Sequence, residues 1–452
     1  MHIKQFVASS LGDASYLVAS GDEAAVIDPQ RDIRPYLAAA EEFDATIRYV
    51  FETHVHNDYI SGGPELAALG ATVVAPEDSG LEFAHRSIAD GDEVMVGAGR
   101  IRAVRTPGHT YHHMAYLGID ESGEVAAAFT GGSIIIGGAG RTDLLGPEHT
   151  EELTRLQWES AQRIQSLLPE RAELLPTHGT GSFCSAQPGS GERRASLLEE
   201  RVRNVVLASP DFEPFRVLHL ANPGPIPAYY RHMAPINRAG AEVYGIPPRP
   251  ALLTPSDLER EAQAGTPVID VRDRFDFARA HVPASISLEE GPSTLAYLSW
   301  ATAFDSALVL VVEDGEQADR FTADLLGIGY EEVRGYLPFE TWRTADRPIA
   351  TLDAVDVAEA VRIHQDGRRT VYDVRFDRDR RELDLPESVH RPIDRLAEWL
   401  PQADAPSPLV VCGGGSRATT VASILQAHGR TPTVLIDGGA ADLRDARQRV
   451  EA

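Results

Sequence analysis

An internal repeat constrains this fold more than any other feature of the sequence. Thr266-Pro-Val-Ile-Asp-Val-Arg272 recurs as Arg369-Thr-Val-Tyr-Asp-Val-Arg375, and Leu308-Val-Leu-Val-Val312 recurs as Pro408-Leu-Val-Val411. The period of about 100 residues is too long for a solenoid unit and suits a small domain. In each copy the second run is followed by a glycine-containing loop and then a helical pattern. Strands that alternate with helices pack as a parallel sheet wrapped by helices. The second copy ends in a late strand, Thr433-Val-Leu-Ile-Asp437, that opens into Gly438-Gly439. The shared Asp-Val-Arg predicts an ion pair at a strand end.

The chain before the repeat reads differently. Ala24-Ala-Val-Ile-Asp-Pro29 and Ile47-Arg-Tyr-Val-Phe-Glu-Thr53 are short apolar runs closed by polar or turn residues, which predicts strands. Glu151 to Leu168 carries Leu153, Leu156, Ala161, Ile164 and Leu167 at helical spacing, and Pro169 lies just past its end. Gly245-Ile-Pro-Pro-Arg-Pro250 is a linker signal, because proline fixes φ and removes a donor. Three domains are therefore expected, at 1–245, 251–350 and 351–452. The length of 452 residues agrees, since single cores rarely exceed ~250–300 residues.

Composition narrows the partners. There are 68 acidic and 42 basic residues, a formal net charge of −26, which repels phosphate backbones and anionic lipid. Nucleic-acid and membrane-surface roles are not expected. No apolar run approaches the ~18 residues that span a bilayer, and the N-terminal segment lacks a basic and then apolar leader pattern. Only two cysteines occur, Cys184 and Cys412, as in a reducing compartment where thiols are kept for reactivity. A cytoplasmic location is expected. Homo-oligomerisation is left open.

The first chemical constellation is Thr53-His-Val-His-Asn-Asp-Tyr59. His54 and His56 are two apart, so an extended segment points both to one side, where Asp58 extends the set. His109 and His178 follow apolar stretches at Pro/Gly turns, in Thr106-Pro-Gly-His109 and Pro176-Thr-His-Gly179. This order and spacing resemble the metallo-β-lactamase superfamily, whose motif is His-x-His-x-Asp-His with later histidines and an aspartate. The branch most similar is that of the persulfide dioxygenases and glyoxalase II, through Phe129-Thr-Gly-Gly-Ser133 and Gly140-Arg-Thr-Asp143. The resemblance implies an αββα sandwich over the first half of the chain and a bound metal.

Two positions depart from that family. Tyr59 replaces the last histidine of the motif, and Gly132 stands where the family carries a bridging or iron-binding aspartate. A two-zinc hydrolase needs those groups. A mononuclear site with three neutral imidazoles, His54, His56 and His109, is what the resemblance then implies, with Fe(II) ahead of Zn(II). Asp58 and His178 become candidates for an outer shell, and His113 for packing. Cys184, in the glycine-rich loop Gly179-Thr-Gly-Ser-Phe-Cys184, is either a buried inert thiol or a second sulfur carrier.

The second constellation is Cys412-Gly-Gly-Gly-Ser-Arg417, between an apolar run and a helical pattern. A sulfur placed there faces the amides of Gly413, Gly414, Gly415 and Ser416, the positive end of a helix, and Arg417. Such a setting stabilises a cysteine persulfide anion. With Asp373-Val-Arg375, this six-residue loop resembles the rhodanese family, which implies Cys412 as nucleophile and sulfur carrier. The first repeat has a rhodanese-like body, including Phe277-Ala-Arg-Ala-His-Val-Pro283, but its loop reads Glu313-Asp-Gly-Glu-Gln-Ala318. Glu313 stands in place of the cysteine and Ala318 in place of the arginine, so a structural or docking domain is expected there.

Together the resemblances imply a persulfide dioxygenase-like metal domain fused to a sulfurtransferase. Its expected small-molecule partners are a persulfide or thiosulfate and glutathione or another low-molecular-weight thiol. The alternatives are a glyoxalase II-like thioester hydrolase and a metal-poor scaffold that presents persulfide to the rhodanese domain.

Overall fold

The computed structural model describes residues 1–179, 181–186, 191–221 and 223–451, so Thr180 of the Cys184 loop lies outside the described residues. The chain folds as two units, Met1–Pro248 with Leu326–Ile328, and Arg249–Leu325 with Gly329–Ala452. The boundary falls inside the Pro/Gly linker, where no helix or strand forms.

The first unit is built on two six-stranded sheets. One runs, in spatial order, His2–Ala8, Asp13–Ser20, Glu23–Ile27, Thr46–Phe51, Thr72–Pro76 and Arg86–Ile88. The other runs Ala195–Ser196, Glu173–Pro176, Val125–Gly131, Met114–Ile119, Gly99–Arg105 and Glu93–Val96. Side-chain alternation shows how they stack. Tyr16 and Val18 belong to the core that also holds Tyr116 and Phe129 of the second sheet. Leu17 and Ala19, one step out of phase, belong to the core under the helix Arg34–Glu42. On the second sheet Ala115 and Leu117 turn outward to Ala161 and Ile164 of the helix Pro147–Leu167. Three cores between four layers make the expected αββα sandwich. That long helix begins four residues before its apolar spacing does, with Pro147 in its first turn and Gly146 at φ +116.

The second unit holds two sheets in which every pair is parallel. The first orders Ile286–Ser287, Val268–Asp270, Leu308–Val312 and Val333–Pro338. The second orders Ser388–His390, Val371–Asp373, Leu409–Val411, Thr433–Asp437 and Asp353–Asp356. The orders coincide, and a parallel bridge from Leu252 to Tyr336 stands where Asp353–Asp356 pairs in the other copy. Leu308–Val312 is buried at all five positions, as a strand covered on both faces must be, with ~1.5–3 kcal/mol from each large apolar side chain.

Both Asp-Val-Arg segments form the expected ion pair. Arg272 forks onto Asp270 at 2.9 and 2.7 Å, and Arg375 onto Asp373 at 2.9 and 2.7 Å. Each arginine also donates to a later backbone carbonyl, of Ala280 or Leu383, and so ties the following helix to the strand end. The first repeat packs on the second. Ser287 N donates to Ser423 Oγ at 3.0 Å, His281 Nε2 lies 3.0 Å from Gln426 Oε1, and the rings of Trp300 and Phe376 meet at 5.7 Å. Among the described residues, no helix is long and apolar enough to cross a membrane.

Candidate functional site

Thr46–Phe51 delivers the first motif to its place. Beyond it, Thr53 donates its N–H and its hydroxyl to Asp28, each at 2.7 Å. That hydroxyl's proton is therefore committed, and the Thr53 oxygen accepts from His54 Nδ1 at 2.9 Å. His54 Nε2 is left as an acceptor. His109 Nδ1 donates to the carbonyl of Arg141 at 2.7 Å, and its Nε2 is buried with no hydrogen-bond partner. His178 turns Nδ1 to Asp13 at 3.0 Å and Asp58 at 3.1 Å, leaving Nε2 3.4 Å from His54 Nε2. His54, His109 and His178 thus bring three imidazole nitrogens within 4.8 Å of one another, fully buried. Fixing the far nitrogen on an oxygen aims the near one and sets its tautomer, as metal-ligating histidines require.

The charges follow from burial. It holds His54 well below the ordinary histidine value and His109 down to about 3, so both are neutral. Burial also opposes charge on His178, but the carboxylates of Asp58 and Asp13 overcome it and take the ring up to about 10. Desolvation, then the neighbouring Asp58 charge, pushes Asp13 up to about 7.

His56 is placed differently from its partners in the motif. Its Nε2 lies 3.2 Å from Asp28, 3.4 Å from Glu52 and 3.1 Å from the Tyr59 hydroxyl. Tyr59 stacks on the ring at 4.3 Å and donates to the Asp28 carbonyl. His56 therefore groups with Asp28 and Glu52, and separately with Asp58 and His178, rather than with His54 and His109.

At Gly132 the carboxylate is absent and its space is filled. A Cβ there would stand 2.4 Å from the His109 ring, and the Gly132 amide donates to His113 Nε2 at 2.9 Å. His113 spends its other nitrogen on Thr106 at 2.8 Å, a packing role as expected. Cys184 is buried beside Tyr230, at 3.6 Å, and burial followed by the Asp58 charge holds its thiol well above the usual range.

The cysteine loop opens from Leu409–Val411 into the 12-residue helix Ser416–Ala427. Gly415 and Gly414 donate their amides to Cys412 Sγ at 3.1 and 3.5 Å. Gly415 sits at φ +94, and a Cβ on it would lie 2.2 Å from the Ile436 carbonyl, so only glycine fits. Arg417 lies over the Phe376 ring at 4.4 Å and pairs with Asp379 at 2.7 Å.

The corresponding loop of the first repeat satisfies its own amides. Glu313 N donates to Gln317 Oε1 at 2.8 Å, and Gln317 N to Asp314 Oδ1 at 2.9 Å. Side-chain oxygens take the amides of Glu313 and Gln317 there, where the other loop turns amides to sulfur.

Residues 12–191 match the family model described as the metallo-beta-lactamase superfamily, and residues 254–337 match that of the rhodanese-like domain. Similarity over most of a relative's length decides the family. The hydroxyacylglutathione hydrolase of Cereibacter sphaeroides (strain ATCC 17029 / ATH 2.4.9) is 30% identical over 207 residues, 45% of this chain and 76% of that enzyme. This chain belongs to the metallo-beta-lactamase superfamily. The hydroxyacylglutathione hydrolase of Rhodospirillum rubrum is 34% identical over 146 residues, 32% of this chain, and the chain spans only about half of its length, 52%. The crystal structure of a metallo-beta-lactamase from Staphylococcus aureus covers 75% of this chain and 99% of its own, at 25% identity and a TM-score of 0.66. The chain is thus a superfamily member that carries a C-terminal rhodanese-like region with parallel sheets.

Several contributors were invisible in the sequence. Asp13 opens the strand Asp13–Ser20, and Asp28 and Glu52 each directly follow the last residue of a strand. Asp28 alone left a trace, as an acid between a strand and Pro29, where it adopts φ +51. Phe376 and Asp379, beside Arg417, had no signal.

Proposed function

We propose that this chain handles sulfane sulfur: a Cys412 sulfurtransferase joined to a metal domain that acts on persulfides as a persulfide dioxygenase does. The supporting observation is the Cys412 loop, whose two amides converge on one sulfur at the start of a 12-residue helix, with a guanidinium alongside. That arrangement favours an anionic sulfur and can hold the persulfide that forms on it.

The residues of the first domain fit one cation. The buried, unpartnered His109 Nε2 lies with His54 Nε2 and His178 Nε2, which are 3.4 Å apart, and three imidazoles leave positions open for substrate. His178 here takes the place that the spacing gave to His56. A bound Fe(II) would supply dioxygen activation for oxidising a persulfide to sulfite. Thr53, the Arg141 carbonyl and the Asp13–Asp58 pair keep the three rings aimed, and the two carboxylates hold the proton on His178 Nδ1 so that Nε2 is the nitrogen turned to a cation.

The names of the relatives favour a second reading, hydrolysis of a hydroxyacylglutathione. A two-metal hydrolase site is opposed by the filled space at Gly132 and by Tyr59, which is spent on His56. Elemental analysis of aerobically and anaerobically purified protein, paired with oxygen uptake on glutathione persulfide, separates the readings. About one metal per chain and persulfide-dependent uptake are expected. Two metals with thioester hydrolysis would restore the hydrolase, and no metal would leave a scaffold.

A further inference from the structure

We propose that Asp379 sets the donor preference of the Cys412 site, turning it toward organic persulfides, whose reacting S–S⁻ end carries one charge, and away from thiosulfate, whose small reacting group carries two. This rests on the sulfurtransferase reading of that site.

Two guanidinium groups stand at the loop, and each is already paired. Arg417 is held by Asp379 at 2.7 Å. Arg274, from the first repeat, has its Nε 3.1 Å from where a Gly415 Cβ would stand, and its Nη1 lies 2.8 and 2.9 Å from the Glu289 oxygens. The loop adds no further cation, being Gly413, Gly414, Gly415 and Ser416. Arg378 also leans on Asp379, at 3.5 Å, but is 36% exposed and screened by solvent. The positive field offered to a donor therefore leans on amide dipoles and the helix end, which suits one negative charge better than two.

The surroundings penalise a second charge. Phe376 lies under Arg417, Trp300 meets Phe376 at 5.7 Å, and Tyr297 stacks on Trp300 at 6.2 Å. Cys412 itself is only 1% exposed, so a donor must leave bulk water and present a slender terminal sulfur. Desolvation cost grows with the square of the charge, so a dianion costs about fourfold what a monoanion of the same size does. An arginine already paired with a carboxylate offsets less of that difference than an unpaired one would.

The transfer balances without an added oxidant. The Cys412 sulfur bonds to the terminal sulfur of R–S–S⁻, and the bond between the donor's two sulfurs breaks. The electron pair leaves on the inner sulfur, which takes the Cys412 proton. The products are Cys412–S–S⁻ and R–SH, with one negative charge on each side.

The test is the rate of sulfur loading onto Cys412 in the full chain, followed by rapid quench and mass spectrometry over a range of thiosulfate or glutathione persulfide. Wild type should load from glutathione persulfide at least tenfold more efficiently. Asp379→Asn and Asp379→Ala should each raise thiosulfate efficiency about tenfold, mainly by lowering its half-saturating concentration. Asp379→Glu should keep the wild-type preference, and Glu289→Gln should shift it in the same direction as Asp379→Asn. A persulfide-to-thiosulfate ratio within about twofold of wild type in Asp379→Asn, Asp379→Ala and Glu289→Gln would overturn the proposal while leaving the sulfurtransferase reading intact. Failure of both donors to load Cys412 in wild type would overturn both.

Discussion

His219 and His112 are each held down to about 4 by burial, and neither belongs to the imidazole cluster. An unfolded histidine titrates near 6.5, so between about pH 6.5 and 4 the unfolded chain binds a proton that the folded chain refuses. Stability must then fall as pH drops through that window, by up to about 1.4 kcal/mol per pH unit for each histidine. His219→Leu should remove one such contribution. The wild-type denaturant midpoint should therefore fall relative to the variant's as pH drops from 6.5 to 4.5, and a difference independent of pH would contradict the assignment. At this scale the sequence was partly legible. His54, His109, Cys412 and Arg417 announce themselves because turns and glycines bracket them. Asp13 and Asp379 do not, because nothing local distinguishes them from surface acids until the chain brings them to His178 and Arg417. The grouping of His178, rather than His56, with His54 and His109 was equally hidden, since spacing says which side a ring faces and not which carboxylates compete for it.

Among the elements, the strand-to-helix turn after Leu409–Val411 carries the most information per residue. Gly415 is fixed by φ +94 and by the Ile436 carbonyl 2.2 Å from a would-be Cβ, whereas a Cβ on Gly414 meets nothing within 4 Å. Gly415→Ala should destabilise the protein by about 1–3 kcal/mol and misplace the amides on the sulfur, while Gly414→Ala should cost little stability. Thermal or denaturant unfolding of the pair checks this, and equal effects would contradict it. Most elements could be read in advance, because apolar runs of five or so residues between turn signals leave few alternatives. Helix Pro147–Leu167 was underestimated at its start, where Pro147, Glu148 and His149 carry no apolar spacing although proline suits a first turn. The first repeat's loop could be judged empty of a nucleophile, but only the fold shows Asp314 and Gln317 occupying its amides.

For the whole molecule, the internal repeat foretold two similar sheets but not that the first would wall the second's cysteine loop. Residues 249–325 and 329–452 form one unit, with His281 on Gln426, Ser287 on Ser423 and Arg274 on the Ile436 carbonyl. Deleting residues 251–350 should lower the unfolding temperature of the remaining cysteine domain and cut its sulfur transfer, because it uncovers apolar surface and removes Arg274 and Trp300 from the loop. Unchanged melting and unchanged transfer after deletion would return that repeat to a docking role. The claim that joins these scales is that Cys412 carries the sulfur. Peptide mass spectrometry of the full chain after treatment with glutathione persulfide tests it most directly, with Cys412→Ser alongside. The expected result is one added sulfur on the peptide containing Cys412, removable by thiol and absent from Cys412→Ser, with Cys184 unmodified. An adduct found only on Cys184, or persisting with full transfer activity in Cys412→Ser, would contradict it.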